Sequence, residues 1–203
     1  MTAEDVLRFW FADAATDDAE LERHATRWFH ADAAFDSLVV RAFAGAIDRA
    51  GKGELDEWAR GPRGRLALII LLDQLTRNAF RGSAKAYAYD HRAARLCRDG
   101  IAIGADRGLA AVERVFFYLP LLHSERLADQ RLGVARFVHL LAQAPAHQNR
   151  YFAAWVALGR RHRAIIRFFG RFPHRNAVLG RRSSVAERTF LALARARAAM
   201  AGR

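Results

Sequence analysis

Between Phe35 and Ala50 the apolar side chains fall at Phe35, Leu38, Val39, Ala42, Phe43, Ala46, Ile47 and Ala50. This i, i+3, i+4, i+7 recurrence matches one face of an α-helix. No stretch alternates apolar and polar residues convincingly, so the chain offers no strands to pair. Helix boundaries are punctuated in the same sequence. Thr2 caps a first helix with Asp5 in the reciprocal position, and Val6, Phe9 and Trp10 form its inner stripe. Gly51 is expected to stop the Phe35–Ala50 helix. Further helices are expected over Arg63–Phe80, ended by Gly82, and from a Ser83 cap to Gly100. Two more, Leu109–Leu119 and Leu121–Ala142, are divided by Pro120, and Tyr151–Phe169 is closed by Gly170. Ser184 and Glu187 make a capping box for the last, which runs to about Met200.

A hydrophobic fraction of 52% can fill a sizeable core, and no serine- or glycine-rich linker divides the chain. The reading is a single all-α domain over residues 1–203, of roughly eight to ten helices in antiparallel pairs. The longest apolar run, Leu66–Leu72, is far short of the roughly 20 residues a membrane span needs. MTAEDVLRFWF lacks a basic start followed by a long apolar stretch and does not read as a signal peptide. The single cysteine, Cys97, sits on an apolar helical face and forms no internal disulfide. These features lead us to expect a cytoplasmic protein without membrane attachment. The formal charge of +12 invites an acidic partner, but the basic residues are scattered and all but Lys52 and Lys85 are arginines. Arginine this abundant beside this much alanine fits a compositional origin, and the scatter argues against nucleic acid as the partner.

Polar residues interrupt the apolar runs at three places. Asp73, Gln74, Arg77, Asn78 and Arg81 break the first, and His123, Ser124, Glu125 and Gln130 follow Val115–Leu122. Arg171, His174, Arg175, Asn176 and Arg181 surround Pro173. Such groups are costly to bury unless they meet each other or a ligand. On a regular helix Asp73, Arg77 and Arg81 form one stripe, with Gln74 and Asn78 beside it. Pro120 either kinks its helix or begins a new one, which places His123, Ser124 and Glu125 near a break. Gly170 and Pro173 set Arg171 and Arg175 at a turn that either binds an anion or ties helix ends to carboxylates such as Glu125 or Asp129.

Metal chemistry has little support. His123 and Glu125 lie about 200° apart on a helix, and no His-Glu-x-x-His or cysteine cluster occurs. Gly-rich nucleotide loops and a Gly-x-Ser-x-Gly elbow are also missing, so no metal or organic cofactor is expected.

LRFWF, Trp28-Phe29, Phe35-Asp36, LALIILLDQLTRNAFRG, FYLPLLHSE, Asp129-Gln130 and FGRFPHRN occur in this order over nearly the whole chain. In that set the chain resembles the bacterial family called domain of unknown function nine hundred and twenty-four. The resemblance implies a tetratricopeptide-like α-α superhelix, although the tetratricopeptide consensus itself is not readable. It marks the polar residues above, apart from Arg181, as family-motif positions and implies no activity. Two positions depart from the family pattern. Thr76 stands where proline is common and should leave its helix less bent; Ala186 stands where an acid often precedes Glu187.

Three functions fit these residue types. The first is a binding protein that holds a small anionic or polar ligand, or a peptide terminus. Arg77, Arg171 and Arg175 would meet its charge, and Asp73, Gln74, Asn78 and Asn176 would supply hydrogen bonds, on the concave face of a superhelix. The second is a cofactor-independent hydrolase or transferase. His123 or His174 would be its acid or base, with Glu125 orienting a histidine. The third is a basic scaffold for RNA or protein.

Overall fold

The computed structural model describes residues 1–12, 22–24, 28 and 32–201. Phe29 of the Trp28-Phe29 pair lies outside them. All regular structure among the described residues is helical. The α-helices are α1 (Ala3–Phe11), α2 (Ala33–Lys52), α3 (Pro62–Ile69), α4 (Thr76–Ala79), α5 (Asp90–Ala102), α6 (Ala111–His123), α7 (Leu127–Gln143), α8 (Asn149–Phe169) and α9 (Val185–Ala201). A π-helical segment, Ile70–Leu75, joins α3 to α4, and short 3-10 turns include Ala84–Tyr87 and Pro173–Arg175. No described helix is long and apolar enough to cross a membrane.

Two segments form the centre. Every residue from Arg65 to Thr76 is buried, and so is every residue from Val115 to Leu122. Helical segments with apolar residues on every face are stable only inside, and the polar Arg65, Asp73, Gln74 and Thr76 of the first are carried in with it. α1, α2 and α5 pack on the first segment, while α7 joins α6 to α8. The three-residue link after α6 makes α6 and α7 an antiparallel pair. One core runs from Val6 in α1 to Val156 in α8, with Trp10, Phe11, Trp28 and Phe116 in mutual ring contact. α9 meets the rest chiefly at the Pro173–Arg175 turn.

Several local expectations hold. Thr2 and Asp5 exchange both bonds of the capping box, as do Ser184 and Glu187. Gly170 ends α8 with φ 71°. Others are corrected. α2 runs on through Gly51 to Lys52, and the left-handed stop is Gly53 at φ 89°. Gly51 is small for a different reason: a Cβ there would lie 2.3 Å from the Tyr89 ring. Ser83 precedes only the short Ala84–Tyr87 turn and makes no side-chain capping bond; its hydroxyl donates to the Phe80 carbonyl, and α5 starts at Asp90. α6 continues through Pro120, because the surrounding core holds the helix where local propensity would break it.

The expected Arg63–Phe80 helix is not regular. The Thr76 N–H reaches back five residues to the Leu71 carbonyl, which also accepts the Thr76 hydroxyl at 2.8 Å. Thr76 therefore helps to make the irregularity instead of straightening the helix. Proline has no N–H to give that first bond.

Two glycine substitutions should have opposite effects in urea unfolding. Gly45 is exposed within α2 with open space around its Cβ, so Gly45→Ala should stabilise by about 0.5–1 kcal/mol. A Cβ on Gly64 would lie 2.2 Å from the backbone oxygen of Trp58, so Gly64→Ala should destabilise by about 2 kcal/mol.

Candidate functional site

A carboxylate with no solvent contact must be answered by donors. Asp73 is such a group, 0% exposed in the middle of the π segment. It accepts from the side chains of Gln74 and, at 3.2 Å, Arg77. Across the core, His123 Nδ1 lies 2.8 and 2.9 Å from its two oxygens. Arg77 also donates to Asp90 at 2.8 Å, and Arg175 donates to the other Asp90 oxygen at 2.9 Å. The ring of Tyr87 lies beneath both guanidinium groups, at 5.2 and 4.6 Å. One chain of charge-assisted bonds thus joins the π segment, the end of α6, the start of α5 and the Pro173 turn.

The carboxyl end of α6 explains several other positions. A helix leaves its last carbonyls unpaired. Gln130 donates to the carbonyls of Leu122 and Ser124, both at 2.7 Å, and Arg175 donates to that of His123 at 2.9 Å. His162 Nδ1 approaches the Leu122 carbonyl at 3.1 Å. The Ser124 hydroxyl donates to Asp129 at 2.7 Å, and Asp129 also accepts from Arg98 at 2.9 Å.

The three polar clusters are only partly brought together. Asp73, Gln74, Arg77, His123 and Arg175 share the network above, and Ser124, Glu125 and Gln130 lie next to it. Asn78 and Arg81 turn away to Asp36 on α2, at 2.8 Å and at 2.5 and 3.0 Å. The single stripe of Asp73, Arg77 and Arg81 fails because α4 ends at Ala79, which leaves Arg81 beyond the helix. Arg171 forms a two-point bond with Glu187, at 2.7 and 2.9 Å, that holds the start of α9. Asn176 is buried and donates to Ser183 at 3.0 Å. His174 is exposed and faces a different cavity. Glu125 does not orient a histidine. It accepts from the Phe172 N–H at 2.8 Å and from Arg181 at 2.8 and 3.0 Å. Asp73 holds the orienting position instead.

The network opens on a cleft of about 400 Å³, with Tyr87, Asp90, Arg98, His123, Ser124, Glu125, Asp129 and Arg175 in its wall. Ala84, Ala88, Ala94 and Leu179 add apolar surface. His123 is the distinctive group there. Its Nδ1 faces Asp73, while Nε2 on the other edge makes no hydrogen bond among the described residues and is open to the cleft. Burial and the nearby Arg77 cation lower the His123 pKa against the pull of Asp73. The ring is therefore neutral near pH 7, and its Nδ1–H donates to the carboxylate. Burial opposes the Asp73 charge, but its His123 and Arg77 partners hold its pKa below the ordinary carboxylate range. Such an arrangement presents a free, unprotonated nitrogen to whatever occupies the cleft.

His91 and Arg126 stand exposed at the rim of the cleft, and two other reactive groups are committed. Ser124 is bound to Asp129, and Cys97 is buried with its thiol pKa raised by burial. No cluster of three or more metal-ligating side chains occurs among the described residues. Asp90, Tyr87 and His162 escaped the sequence reading. For Asp90 there was one signal: arginines expected inside a core require a carboxylate, and the named acids did not suffice.

A family model described as a bacterial protein of unknown function, DUF924, matches residues 6–194. The solved structure of a protein of unknown function, ATU0120, from Agrobacterium tumefaciens is similar at 36% identity and TM-score 0.76. The alignment covers 93% of this chain and 96% of that one. No curated protein matches.

The geometry makes Arg175 a structural tie, with Asp90 as its carboxylate. Arg175→Ala should destabilise the fold by about 3 kcal/mol in urea denaturation, since Asp90 and the His123 carbonyl each lose a buried donor. A change under about 0.5 kcal/mol would contradict this assignment.

Proposed function

The chain belongs to the bacterial family DUF924, and we propose that it is an acid–base catalyst acting on a small polar substrate. His123 transfers the proton and Asp73 orients it. The observation that carries this reading is the ring of His123, held at Nδ1 by a buried carboxylate and left free at Nε2 on a cleft. Acid–base catalysis needs that combination of fixed tautomer, depressed pKa and access.

Hydrolysis or group transfer without a covalent intermediate suits the remaining groups. His123 Nε2 takes a proton from water or from an acceptor hydroxyl. The oxygen then attacks the substrate's electrophilic centre, and Nε2 returns the proton to the departing group. Ser124 serves Asp129 and is not the nucleophile. Arg175, beside His123, offers positive charge to an oxyanion but stays anchored on Asp90. No organic cofactor or metal enters this scheme.

Capture of an anion by Arg77, Arg171 and Arg175 is less well supported, because each already meets a carboxylate. We also propose that residues 1–203 act as one cytoplasmic domain. Packing of α5 on α6, α6 on α7 and α7 on α8 supports a tetratricopeptide-like arrangement of helix pairs.

A panel of p-nitrophenyl carboxylic and phosphate esters tests the reading. Wild type should hydrolyse at least one class, and His123→Asn should lower kcat by about 10²- to 10⁴-fold while the protein stays folded. The neutral form is the base, so activity should rise with pH through a midpoint below 6.5, the ordinary histidine value. Absence of turnover in wild type, or equal turnover in His123→Asn, overturns the proposal.

A further inference from the structure

We propose a second ligand site, between the Pro173–Arg175 turn and α9, that takes an amphipathic monoanion: a carboxylate on a short apolar chain. A cavity of about 420 Å³ lies there, within the size range of small-molecule sites. Its floor is apolar, made by Pro173, Ala177, Leu191 and Ala194. Its polar wall is His174, Arg181, Ser183 and Arg195, with no carboxylate.

That missing carboxylate distinguishes this cavity from its surroundings. Nearby, Arg77 and Arg175 share Asp90, Arg98 holds Asp129, Arg171 holds Glu187 and Arg181 holds Glu125. Arg195 has no hydrogen bond or ion pair among the described residues. The only acid in α9, Glu187, is already spent on Arg171. Arg181 keeps its Nε buried without a hydrogen bond, even though its terminal nitrogens are engaged by Glu125. A buried donor of that kind is costly until an acceptor reaches it. The cavity therefore offers the unpaired Arg195 guanidinium, beside an Arg181 already shared with Glu125, on one side and apolar surface on the other. A ligand with a carboxylate and an alkyl chain answers both, and guanidinium groups favour the two-oxygen geometry of a carboxylate.

The position also links the two cavities. Arg181 lines the second, while its partner Glu125 lines the first. His174 and Arg175, adjacent in sequence, face the second and first respectively. A carboxylate drawn to Arg181 competes with Glu125 and so changes the charge presented to the His123 cleft.

Calorimetric titration of the full chain with sodium octanoate, below its micelle concentration, tests the site. Octanol and octylammonium, of the same chain length, are the controls. Octanoate should bind saturably at one site, and both controls should bind at least about tenfold more weakly. Arg195→Ala, an exposed change that spares the core, should weaken octanoate by about tenfold. Ala194→Phe, which fills the floor, should abolish binding while circular dichroism confirms the fold. His123→Asn should bind octanoate as wild type does, which keeps this result separate from the catalytic proposal. No saturable binding, equal binding of octanol, or octanoate binding unchanged in both Arg195→Ala and Ala194→Phe overturns the proposal.

Discussion

The Asp73 carboxylate is the constraint on which the rest of this structure depends. It has no contact with water, and an unpaired buried charge costs several kcal/mol. The fold must bring donors to it from elsewhere. His123 arrives from α6 and Arg77 from the next turn of its own segment. Arg77 brings a further positive charge, which Asp90 balances, and Asp90 in turn requires Arg175 from a turn 85 residues further on. Each compensation recruits the next element. The outcome is a polar seam through an otherwise apolar core, joining segments that local contacts alone would leave independent.

The seam also explains why one histidine keeps an unpaired ring nitrogen. Its arginines and Gln74 answer carboxylates, Gln130 answers the end of α6, and Ser124 answers Asp129. His123 alone in this set has one nitrogen fixed and the other open to the cleft. The π-helical segment contributes directly. An extra residue in one turn changes the facing of those that follow, and such segments often occur at functional positions. Here Asp73 lies within it, directed at α6.

Features written in adjacent residues were legible in the sequence. The Thr2/Asp5 and Ser184/Glu187 capping boxes and the stop at Gly170 each depend on contacts within a few residues; the apolar stripe of α2 is buried at Phe35, Val39, Phe43, Ile47 and Ala50 but exposed at Leu38 and Ala42. The need for polar compensation was legible too, because Asp73, Arg77, His123 and Arg175 stand beside apolar runs. The pairing was not. Asp90 opens a helix of ordinary composition and shows its role only against Arg77 and Arg175. Pro120 reads as a break, yet core packing on all sides keeps α6 continuous. Asp36 hides in the amphipathic pattern of α2 and redirects Asn78 and Arg81 away from the cleft. In each case the decisive contact is tertiary, so helical periodicity carries no trace of it.

The most direct test is nitrogen NMR of the imidazole rings in uniformly labelled protein at pH 7.5, with His123 assigned by its absence in His123→Asn. The account predicts a neutral ring protonated on Nδ1, the tautomer that faces Asp73, with an unprotonated Nε2. In Asp73→Asn that preference should weaken or reverse. A His123 ring that carries its proton on Nε2 in the wild type, or that is an imidazolium at this pH, would contradict the central claim.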